Sequence, residues 1–193
     1  MRRIAVFASG NGSNAENIIR YFSAGDRGAE VVVVVCNNPA ANVIARSRAL
    51  GVPVEVLARA EINDREVLTG VLDRYAVDLI VLAGFLQMLP GFVTDRFSGN
   101  IVNIHPSLLP KYGGKGMYGR NVHNAVVEAG ETETGITIHL VNDRYDDGRI
   151  LFQASVALAS GDSPADVEAK VHSLERQYYP RVIADTFCGT DTI

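Results

Sequence analysis

Residues 4–14 read IAVFASGNGSN: a short apolar run, a turn with two glycines, and polar residues that open the next segment. An apolar run of this length, followed by glycine, predicts a strand buried on both faces of a sheet. The next residues are apolar at three- and four-residue spacing, which predicts a helix over Asn14–Ala24. A strand that passes through a tight turn into a helix is the repeating unit of a parallel sheet covered by helices.

The same alternation continues along the chain. Further buried strands are predicted at Val31–Cys36, Val54–Leu57, Leu79–Ala83 and Ile101–Ile104, and helices at Ala40–Leu50, Asp64–Tyr75 and Arg120–Ala129. Beyond them, Gly135–Val141 and Ile150–Leu158 predict a hairpin, and Ala165–Phe187 predicts a long closing helix that starts at Pro164 and bends near Pro180. We expect one domain over residues 1–193, with an α/β, doubly wound, mostly parallel, Rossmann-like sheet.

Composition narrows the class of protein. The chain has 193 residues, 47% hydrophobic and 21% charged, with a net charge of −4 and scattered basic residues. This balance argues against nucleic acid or a membrane surface as a partner. The cysteines, Cys36 and Cys188, are too few for a disulfide framework and are typical of reduced thiols. No apolar run is long enough to span a bilayer, and no secretory signal is recognisable, so we expect a cytoplasmic protein.

The turn SGNGSN, residues 9–14, has two interpretations. Gly10 and Gly12 would let backbone amides approach a ligand, and the start of the helix after the turn favours a phosphate. Alternatively, Ser13 caps the helix and Glu16 completes a capping box, with the glycines only making a tight turn. The third glycine of the dinucleotide-binding fingerprint is absent, so that motif does not apply.

The stretch NIHPSLLPKYGGKG, residues 103–116, predicts a catalytic pair. Asn103 and His105 alternate at the end of a buried strand, so both side chains point to the same face, and Pro106 and Pro110 stiffen the loop after the strand. His transfers protons near neutral pH, and Asn can donate a hydrogen bond to a developing oxyanion. The alternative is a core histidine satisfied by a backbone carbonyl, with Asn103 making a turn.

Other catalytic designs fit less well. The remaining histidines lack metal-ligand spacing, no G-x-S-x-G elbow is present, and neither cysteine has a nucleophile motif. This pattern favours direct transfer between two bound substrates without a metal. A carboxylate is needed to hold the imidazole, and the loop NDRYDDGR supplies Asp143, Asp146 and Asp147. Residue types alone do not choose among them.

Four motifs in order, SGNGSN, LAGF, NIHPSLLPKY and an Asp-x-Gly loop, resemble the folate-dependent phosphoribosylglycinamide formyltransferases of purine biosynthesis. The resemblance runs from the first strand to the helix containing Glu175. It implies a formyltransferase fold, 10-formyltetrahydrofolate as co-substrate, no metal, small-molecule partners only, and a monomer or homodimer. It also implies that glycinamide ribonucleotide is formylated on its amine by direct acyl transfer.

Site residues are implied position by position. The resemblance assigns catalysis to Asn103, His105 and Asp146, and the ribonucleotide phosphate and ribose to Gly12, Ser13, Asn14 and Glu175. Folate binding is assigned to Arg65, Leu86, Gln87, Met88, Leu89, Asn142 and Asp143, together with Asn103 and Asp146. Asn103 and a protonated His105 would stabilise the oxyanion, while Asp146 raises the histidine pKa and helps relay the proton.

The chain departs from the family pattern in two places. Gln87 stands where members often carry Arg, which is harmless if the folate is bound through backbone groups there. Residues 113–119 lengthen the connection after Tyr112, and they are expected to be either a mobile lid or a tolerated surface insertion.

Three competing functions stay open from the sequence. Formyltransferases that act on methionyl-tRNA or amino sugar nucleotides normally carry a further C-terminal domain, and a tRNA enzyme would need a basic surface. Hydrolases of formyltetrahydrofolate usually carry an N-terminal regulatory domain. A non-catalytic nucleotide-binding module would keep the glycine turn without needing Asn103, His105 and Asp146 together.

Overall fold

The computed structural model describes residues 1–189, so residues 190–193 of the predicted 1–193 domain lie outside the described part. Seven strands form one sheet: β1 (Arg2–Ala8), β2 (Ala29–Cys36), β3 (Val54–Val56), β4 (Leu79–Leu82), β5 (Ile101–His105), β6 (Glu133–Leu140) and β7 (Ile150–Ala157). Their spatial order is β3-β2-β1-β4-β5-β6-β7. The first five are parallel, and β6 and β7 pair antiparallel. The predicted α/β fold with its C-terminal hairpin is therefore confirmed.

Residues 1–189 contain seven helices, of which the first six lie between strands and the last follows β7: α1 (Ser13–Ser23), α2 (Val43–Ala49), α3 (Arg59–Asn63), α4 (Arg65–Arg74), α5 (Gly91–Arg96), α6 (Arg120–Glu128) and α7 (Pro164–Phe187). The short helices α3 and α5 were not predicted, because five or six residues are too few to show a helical period. The predicted start of α7 is confirmed: Ser163 caps it, Asp166 completes a capping box, and Pro164 is the first helical residue. The helix continues through Pro180.

The sheet is covered on both faces, as a doubly wound fold requires. One apolar cluster packs β-strand side chains against α1, α2, α6 and α7, and a second packs the opposite side chains against α3, α4 and α5. Most residues of β1, β2, β4 and β5 are buried on both faces. The edge strands β3 and β7 are not. Val56 of β3 is 38% exposed, so the expectation of complete burial was wrong for that strand.

Within residues 1–189, no helix combines the length and apolar character needed to cross a bilayer.

Candidate active site

The predicted site residues meet at the carboxyl edge of the sheet. The connections change direction between β1 and β4, which are neighbours in space but not in sequence. Loops leaving such a pair of strands diverge and open a crevice for ligands. The SGNGSN turn comes after β1, and the segment Leu86–Leu89 comes after β4. The backbone N–H of Leu86 donates to Ser9 Oγ at 3.0 Å, so the two loops meet directly.

His105 and Asp146 lie side by side in this crevice. His105 ends β5 and is 3% exposed, and Asp146 belongs to the loop between β6 and β7. The imidazole Nδ1 lies 3.5 Å from Asp146 Oδ2. The other ring nitrogen, Nε2, lies 2.7 Å from the carbonyl oxygen of Tyr112, which can only accept a hydrogen bond. The Nε2 atom therefore carries a proton, and Nδ1 is the atom that faces the carboxylate.

Burial decides the net direction of the His105 pKa shift. Burial lowers the pKa, and although Asp146 and the Tyr112 carbonyl both act to raise it, the net pKa lies below the ordinary histidine value. The expected effect of Asp146, which raises the pKa of this histidine, is present but is outweighed by burial. The free energy lost when an imidazolium is removed from water exceeds the free energy gained from its attraction to one carboxylate at 3.5 Å. The neutral ring is a base with its free lone pair on Nδ1.

Asp146 is held as a carboxylate. Burial acts to raise its pKa, but hydrogen bonding with His139, attraction to His105 when that ring is protonated, and the Gly114 N–H outweigh burial, and the net pKa lies below the usual aspartate value. The Gly114 N–H donates to Oδ2 at 2.9 Å. The backbone of Asp146 is left-handed, with φ of 52°, which aspartate tolerates better than most residues. Among residues 1–189, Asp146 is the only one of the three candidate aspartates that contacts His105, while Asp147 pairs with Arg144.

Asn103 approaches the same carboxylate through a residue that sequence reasoning missed. It faces His139 in the β5–β6 register, and Asn103 Nδ2 lies 3.2 Å from His139 Nε2. His139 Nε2 in turn lies 3.7 Å from Asp146 Oδ1. A signal was available in the sequence, because a histidine interrupts the buried strand ITIHLV just as Asn103 and His105 interrupt theirs.

A rigid frame lies directly after His105. The Thr137 hydroxyl donates to the Ser107 carbonyl at 2.7 Å and accepts from the Leu109 N–H at 2.9 Å. Gln153 Nε2 donates to the Leu109 carbonyl at 3.0 Å and to Thr137 Oγ1 at 2.9 Å. Strands β6 and β7 thereby clamp the segment 107–109. A fixed backbone at this point limits the displacement of the imidazole, and small displacements of a catalytic group are costly.

The capping interpretation of the SGNGSN turn was wrong. Residue Gly12 precedes α1 with φ of 81°, and no side chain caps the helix. Instead of completing a capping box, Glu16 accepts hydrogen bonds from Arg20 and Arg46. The first N–H groups of a helix have no partner within it, so those of this turn are directed toward the crevice side of β1 with a favourable dipole for an anion. Ser13 is exposed beside them.

Glycine is required at position 12. A Cβ there would lie 2.6 Å from Val43 Cβ, and the positive φ would strain any larger residue. The turn therefore packs tightly against α2 while its outer surface stays open.

Asn14 and Glu175 are brought together from opposite ends of the chain. Asn14 Nδ2 donates to Glu175 Oε2 at 2.9 Å, which joins the start of α1 to α7. Glu175 is 7% exposed, and burial raises its pKa, although Asn14 and His172 act in the opposite direction. His172 Nε2 lies 3.9 Å from the same carboxylate. A buried carboxyl group kept at such a cost is typical of a functional position.

The segment after β4 presents apolar side chains to the crevice. Leu86 is 58% exposed and Met88 is 40% exposed, whereas Leu89 is buried. Gln87 Oε1 accepts from Asn37 Nδ2 at 3.4 Å. Gln87 Nε2 and Asn37 Oδ1 are both buried and have no partner among residues 1–189.

The other predicted folate residues are more peripheral. Arg65 begins α4, is exposed, and lies over the ring of Phe92 at 4.8 Å. It makes no side-chain hydrogen bond or ion pair with another predicted site residue in the described chain. Asn142 and Asp143 begin the loop that leads to Asp146, where Asn142 Oδ1 accepts from the Arg144 N–H and Asp143 is exposed.

The inserted segment, residues 113–119, touches the site at its start. Gly113 lies where a Cβ would be 3.4 Å from Asp146 Cβ, and Gly114 makes the backbone contact with that carboxylate. Lys115 is exposed. Whether the segment moves stays a prediction. Across residues 1–189, no group of three or more His, Cys, Asp or Glu side chains has an arrangement that would hold a metal ion.

Comparison with known proteins assigns the chain to a family. The formyl transferase family model matches residues 2–183. A phosphoribosylglycinamide formyltransferase of Haemophilus influenzae is 40% identical over 187 residues, which cover 95% of this chain and 86% of that protein. The chloroplastic phosphoribosylglycinamide formyltransferase of Arabidopsis thaliana is 39% identical, and the match covers 94% of this chain but 64% of that protein.

Solved structures agree with this assignment. Glycinamide ribonucleotide transformylase 1 from Geobacillus kaustophilus superposes with a TM-score of 0.88 at 33% identity, and the match covers 98% of this chain and 100% of that one. The phosphoribosylglycinamide formyltransferase from Brucella melitensis gives a TM-score of 0.87 at 34% identity, with 98% and 97% covered. The chain therefore belongs to the formyl transferase family, among the phosphoribosylglycinamide formyltransferases.

Proposed function

We propose that this enzyme transfers the formyl group of 10-formyltetrahydrofolate to the amine of N1-(5-phosphoribosyl)glycinamide in de novo purine biosynthesis. The names of the relatives support the acceptor and the formyl group, and the resemblance of the four sequence motifs supports the folate donor. The single observation that carries the chemistry is the buried His105–Asp146 pair, with Asn103 two residues earlier on the same face of β5. A non-catalytic nucleotide-binding module would have no reason to bury these groups beside the glycine turn.

The ribonucleotide binds where β1 meets α1. The backbone N–H groups after Gly12, with the exposed Ser13 hydroxyl, bind its phosphate at the positive end of the α1 dipole. Asn14 and Glu175, already hydrogen-bonded to each other, bind the neighbouring polar groups of the sugar. A carboxylate that accepts from hydroxyl groups recovers part of the solvation that burial removed.

The folate binds along the opposite wall of the crevice. Leu86 and Met88 supply exposed apolar surface for a flat ring, and Gln87, which is hydrogen-bonded to Asn37, lies between them in the sequence. Arg65 provides a positive charge at the outer end for a carboxylate of the folate tail. Residues 142 and 143 complete the wall as the loop approaches the catalytic carboxylate.

The reaction is an acyl transfer. The amine nitrogen forms a bond to the formyl carbon, whose oxygen becomes an oxyanion that accepts a hydrogen bond from Asn103 Nδ2. The neutral His105 takes a proton released by the amine on Nδ1, directly or through water, and the resulting imidazolium is stabilised by Asp146. When the C–O double bond re-forms, the bond to the folate nitrogen breaks and that nitrogen takes up the proton. The products are the formylated ribonucleotide and tetrahydrofolate.

We place the reaction in the cytoplasm, with small-molecule substrates and no nucleic acid, in a monomer or homodimer. Within the described residues Cys36 and Cys188 are free thiols, which fits a reducing compartment. The net charge of −4 provides no general attraction for nucleic acid.

An acceptor-competition assay tests this proposal. Purified protein is mixed with 10-formyltetrahydrofolate alone, with glycinamide ribonucleotide, with methionyl-tRNA or with an amino sugar nucleotide, and loss of the formyl group is followed. We expect loss only with the ribonucleotide, and a formylated ribonucleotide as product. Equal loss without any acceptor would identify a hydrolase, and loss only with another acceptor would overturn the proposed substrate.

A further inference from the structure

One short backbone segment, residues 112–114, contacts both members of the His105–Asp146 pair. The Tyr112 carbonyl accepts from His105 Nε2 at 2.7 Å, and the Gly114 N–H donates to Asp146 Oδ2 at 2.9 Å. The imidazole and the carboxylate therefore share a backbone support in addition to their own contact at 3.5 Å. A displacement of this segment would displace both groups.

The segment begins with a strained residue. Tyr112 has a φ of 56°, in the left-handed region that a residue with a large side chain rarely adopts. The frame that clamps residues 107–109 ends before this point, and so does the Ser107 hydroxyl, which donates to the Lys111 carbonyl at 2.6 Å. Strained backbone of this kind persists only where neighbouring contacts hold it. The conformation of Tyr112 therefore needs a support of its own.

The side chain of Tyr112 makes such a contact. Its hydroxyl donates to Glu131 Oε1 at 2.9 Å, and Glu131 lies in the connection between α6 and β6. Lys111 Nζ donates to the two oxygens of the same carboxylate, at 2.8 and 3.1 Å. Hydrogen bonds from Lys111 and Tyr112 lower the pKa of Glu131, so the hydroxyl donates to an ionised acceptor, which makes a stronger hydrogen bond than a neutral one. The Tyr112 ring also packs against the apolar cluster that includes α6.

We propose that Tyr112 and Glu131 are positioning residues, whose hydroxyl–carboxylate hydrogen bond holds residues 112–114 in the strained conformation that places His105 beside Asp146. The idea rests on the proposed function, in which His105 takes up a proton and Asp146 stabilises the resulting cation. Both side chains act on the reaction through the two catalytic groups, since small displacements of such groups lower the rate strongly.

Kinetics of single substitutions test the proposal. Tyr112→Phe keeps the ring and removes the hydroxyl, and we expect kcat to fall at least about fivefold while KM for each substrate changes less than about twofold. Glu131→Ala should lower kcat by a similar factor, and Glu131→Gln, which retains an acceptor oxygen, should recover most of the loss. The double variant of Tyr112→Phe and Glu131→Ala should be no slower than either single variant, because both remove the same contact.

Lys111→Met is the matched control. It removes the neighbouring contact to the same carboxylate, but the Lys111 side chain is 65% exposed and the Tyr112 hydroxyl keeps its acceptor. An exposed ion pair contributes little, so kcat should change less than about twofold. Equal losses in Lys111→Met and Tyr112→Phe would overturn the proposal.

NMR of the substrate-free protein separates this proposal from the proposed function. The Tyr112 carbonyl acts to raise the pKa of His105, so the titration midpoint of His105 should fall in Tyr112→Phe. The Gly114 N–H, released from Asp146, should exchange with solvent at least about tenfold faster than in the wild-type protein. An unchanged midpoint or an unchanged exchange rate would overturn the proposal, even if kcat is lower. If the wild-type protein transfers no formyl group, the proposed function fails, while titration and exchange still decide whether Tyr112 holds the segment.

Discussion

In the proposed reaction His105 transfers a proton, and burial sets the charge of its ring. Its Nε2 is tied to the Tyr112 carbonyl, and its Nδ1 faces Asp146, so proton gain and loss occur on one defined atom. Burial lowers the pKa more than Asp146 raises it. The histidine is thus a base at rest, and it becomes a cation only when the reaction supplies the proton.

This balance predicts the titration of the ring. In an NMR titration of the substrate-free protein, we expect the midpoint of His105 to lie below about 6.5, the ordinary histidine value. The pKa should fall further in Asp146→Asn, because the attraction that partly offsets burial is removed. A midpoint above 6.5, or an upward shift in that variant, would contradict the account.

Burial of the Glu175 carboxylate lowers the stability of the fold, although the proposed function uses this group to bind the ribonucleotide. Burial raises its pKa, so the folded protein holds a proton more tightly there than the unfolded chain does. Such a group lowers stability fully above its folded pKa, and this cost shrinks as the pH falls below that value and is gone below the pKa of the unfolded chain.

We therefore expect Glu175→Gln to raise the free energy of unfolding at about pH 7–8, with a smaller gain at acidic pH, and to raise the KM for the ribonucleotide about tenfold. Denaturant unfolding and steady-state kinetics measure the two effects. Glu128→Gln, on the exposed surface of α6, is the matched control and should change neither. Lower stability of Glu175→Gln than of the wild-type protein at mildly alkaline pH would refute this interpretation.

A buried hydroxyl group on helix α7 forms hydrogen bonds to the sheet, in addition to the apolar packing of this helix. Tyr179, four residues after Glu175, is fully buried, and its hydroxyl lies 2.8 Å from the Leu82 carbonyl and 3.2 Å from the Val102 carbonyl. These carbonyls belong to β4 and β5, the strands that lead into the folate segment and the catalytic stretch. The hydroxyl pKa lies well above the usual tyrosine value because of burial and the nearby Glu175.

Tyr179→Phe should lower the free energy of unfolding by about 1–3 kcal/mol, because carbonyl oxygens are left buried without their donor. Tyr178→Phe is the control, since the Tyr178 ring packs on Phe152 but its hydroxyl has no hydrogen bond in the described chain. Chemical denaturation of the two variants makes the comparison. Equal effects would mean that the buried hydroxyl adds nothing.

The loop between β6 and β7 needs glycine at position 148. An alanine there would push against the Leu140 carbonyl, and the loop that carries Asp146 would have to move. We expect Gly148→Ala to cost about 1–3 kcal/mol of stability and to lower kcat, as overpacking usually does. Gly70→Ala, in an exposed turn of α4 with open space around it, should stabilise by about 0.5–1 kcal/mol. Unfolding curves and kcat of both variants test the contrast.

Sequence patterns predicted the regular elements well and the contacts between distant segments poorly. Strand and helix periods located every strand and the five longer helices, because burial imposes those periods. The helices α3 and α5 were missed, and complete burial of β3 was wrongly expected, since an edge position cannot be read from three residues. Residue types indicated Asn103 and His105, and the family resemblance added Asp146. Neither indicated His139, whose contact with Asn103 depends on the register of β5 and β6.

The charge states of the site residues could also not be predicted from the sequence. The loop NDRYDDGR offered three aspartates, and only the folded loop brings Asp146 to 3.5 Å from His105. Residue types likewise provide no means of weighing burial against that attraction, so the sequence indicated the effect of Asp146 on the His105 pKa but not the larger, opposite effect of burial. The distance between Asp146 and His105 and the pKa of His105 both depend on how deeply the loops cover the carboxyl edge of the sheet.

Under the proposed function, the arrangement of the sheet explains how the two substrates meet. The glycine turn comes after β1, the folate segment comes after β4, and Asn103 with His105 ends β5, so three adjacent strands supply the two binding walls and the reacting groups. The antiparallel hairpin β6–β7 closes the group by supplying His139 and Asp146. The rigid sheet thus fixes the distance over which the formyl group must pass.

Transfer of a labelled formyl group tests this account most directly. Protein in excess is mixed with 10-formyltetrahydrofolate labelled in the formyl carbon and with glycinamide ribonucleotide, and the label in each product is measured in a single turnover. The account predicts that the label appears in the ribonucleotide for the wild-type protein, and that His105→Ala slows this step by at least about a hundredfold while both substrates still bind. Label released as formate, or transfer at an undiminished rate in His105→Ala, would contradict it.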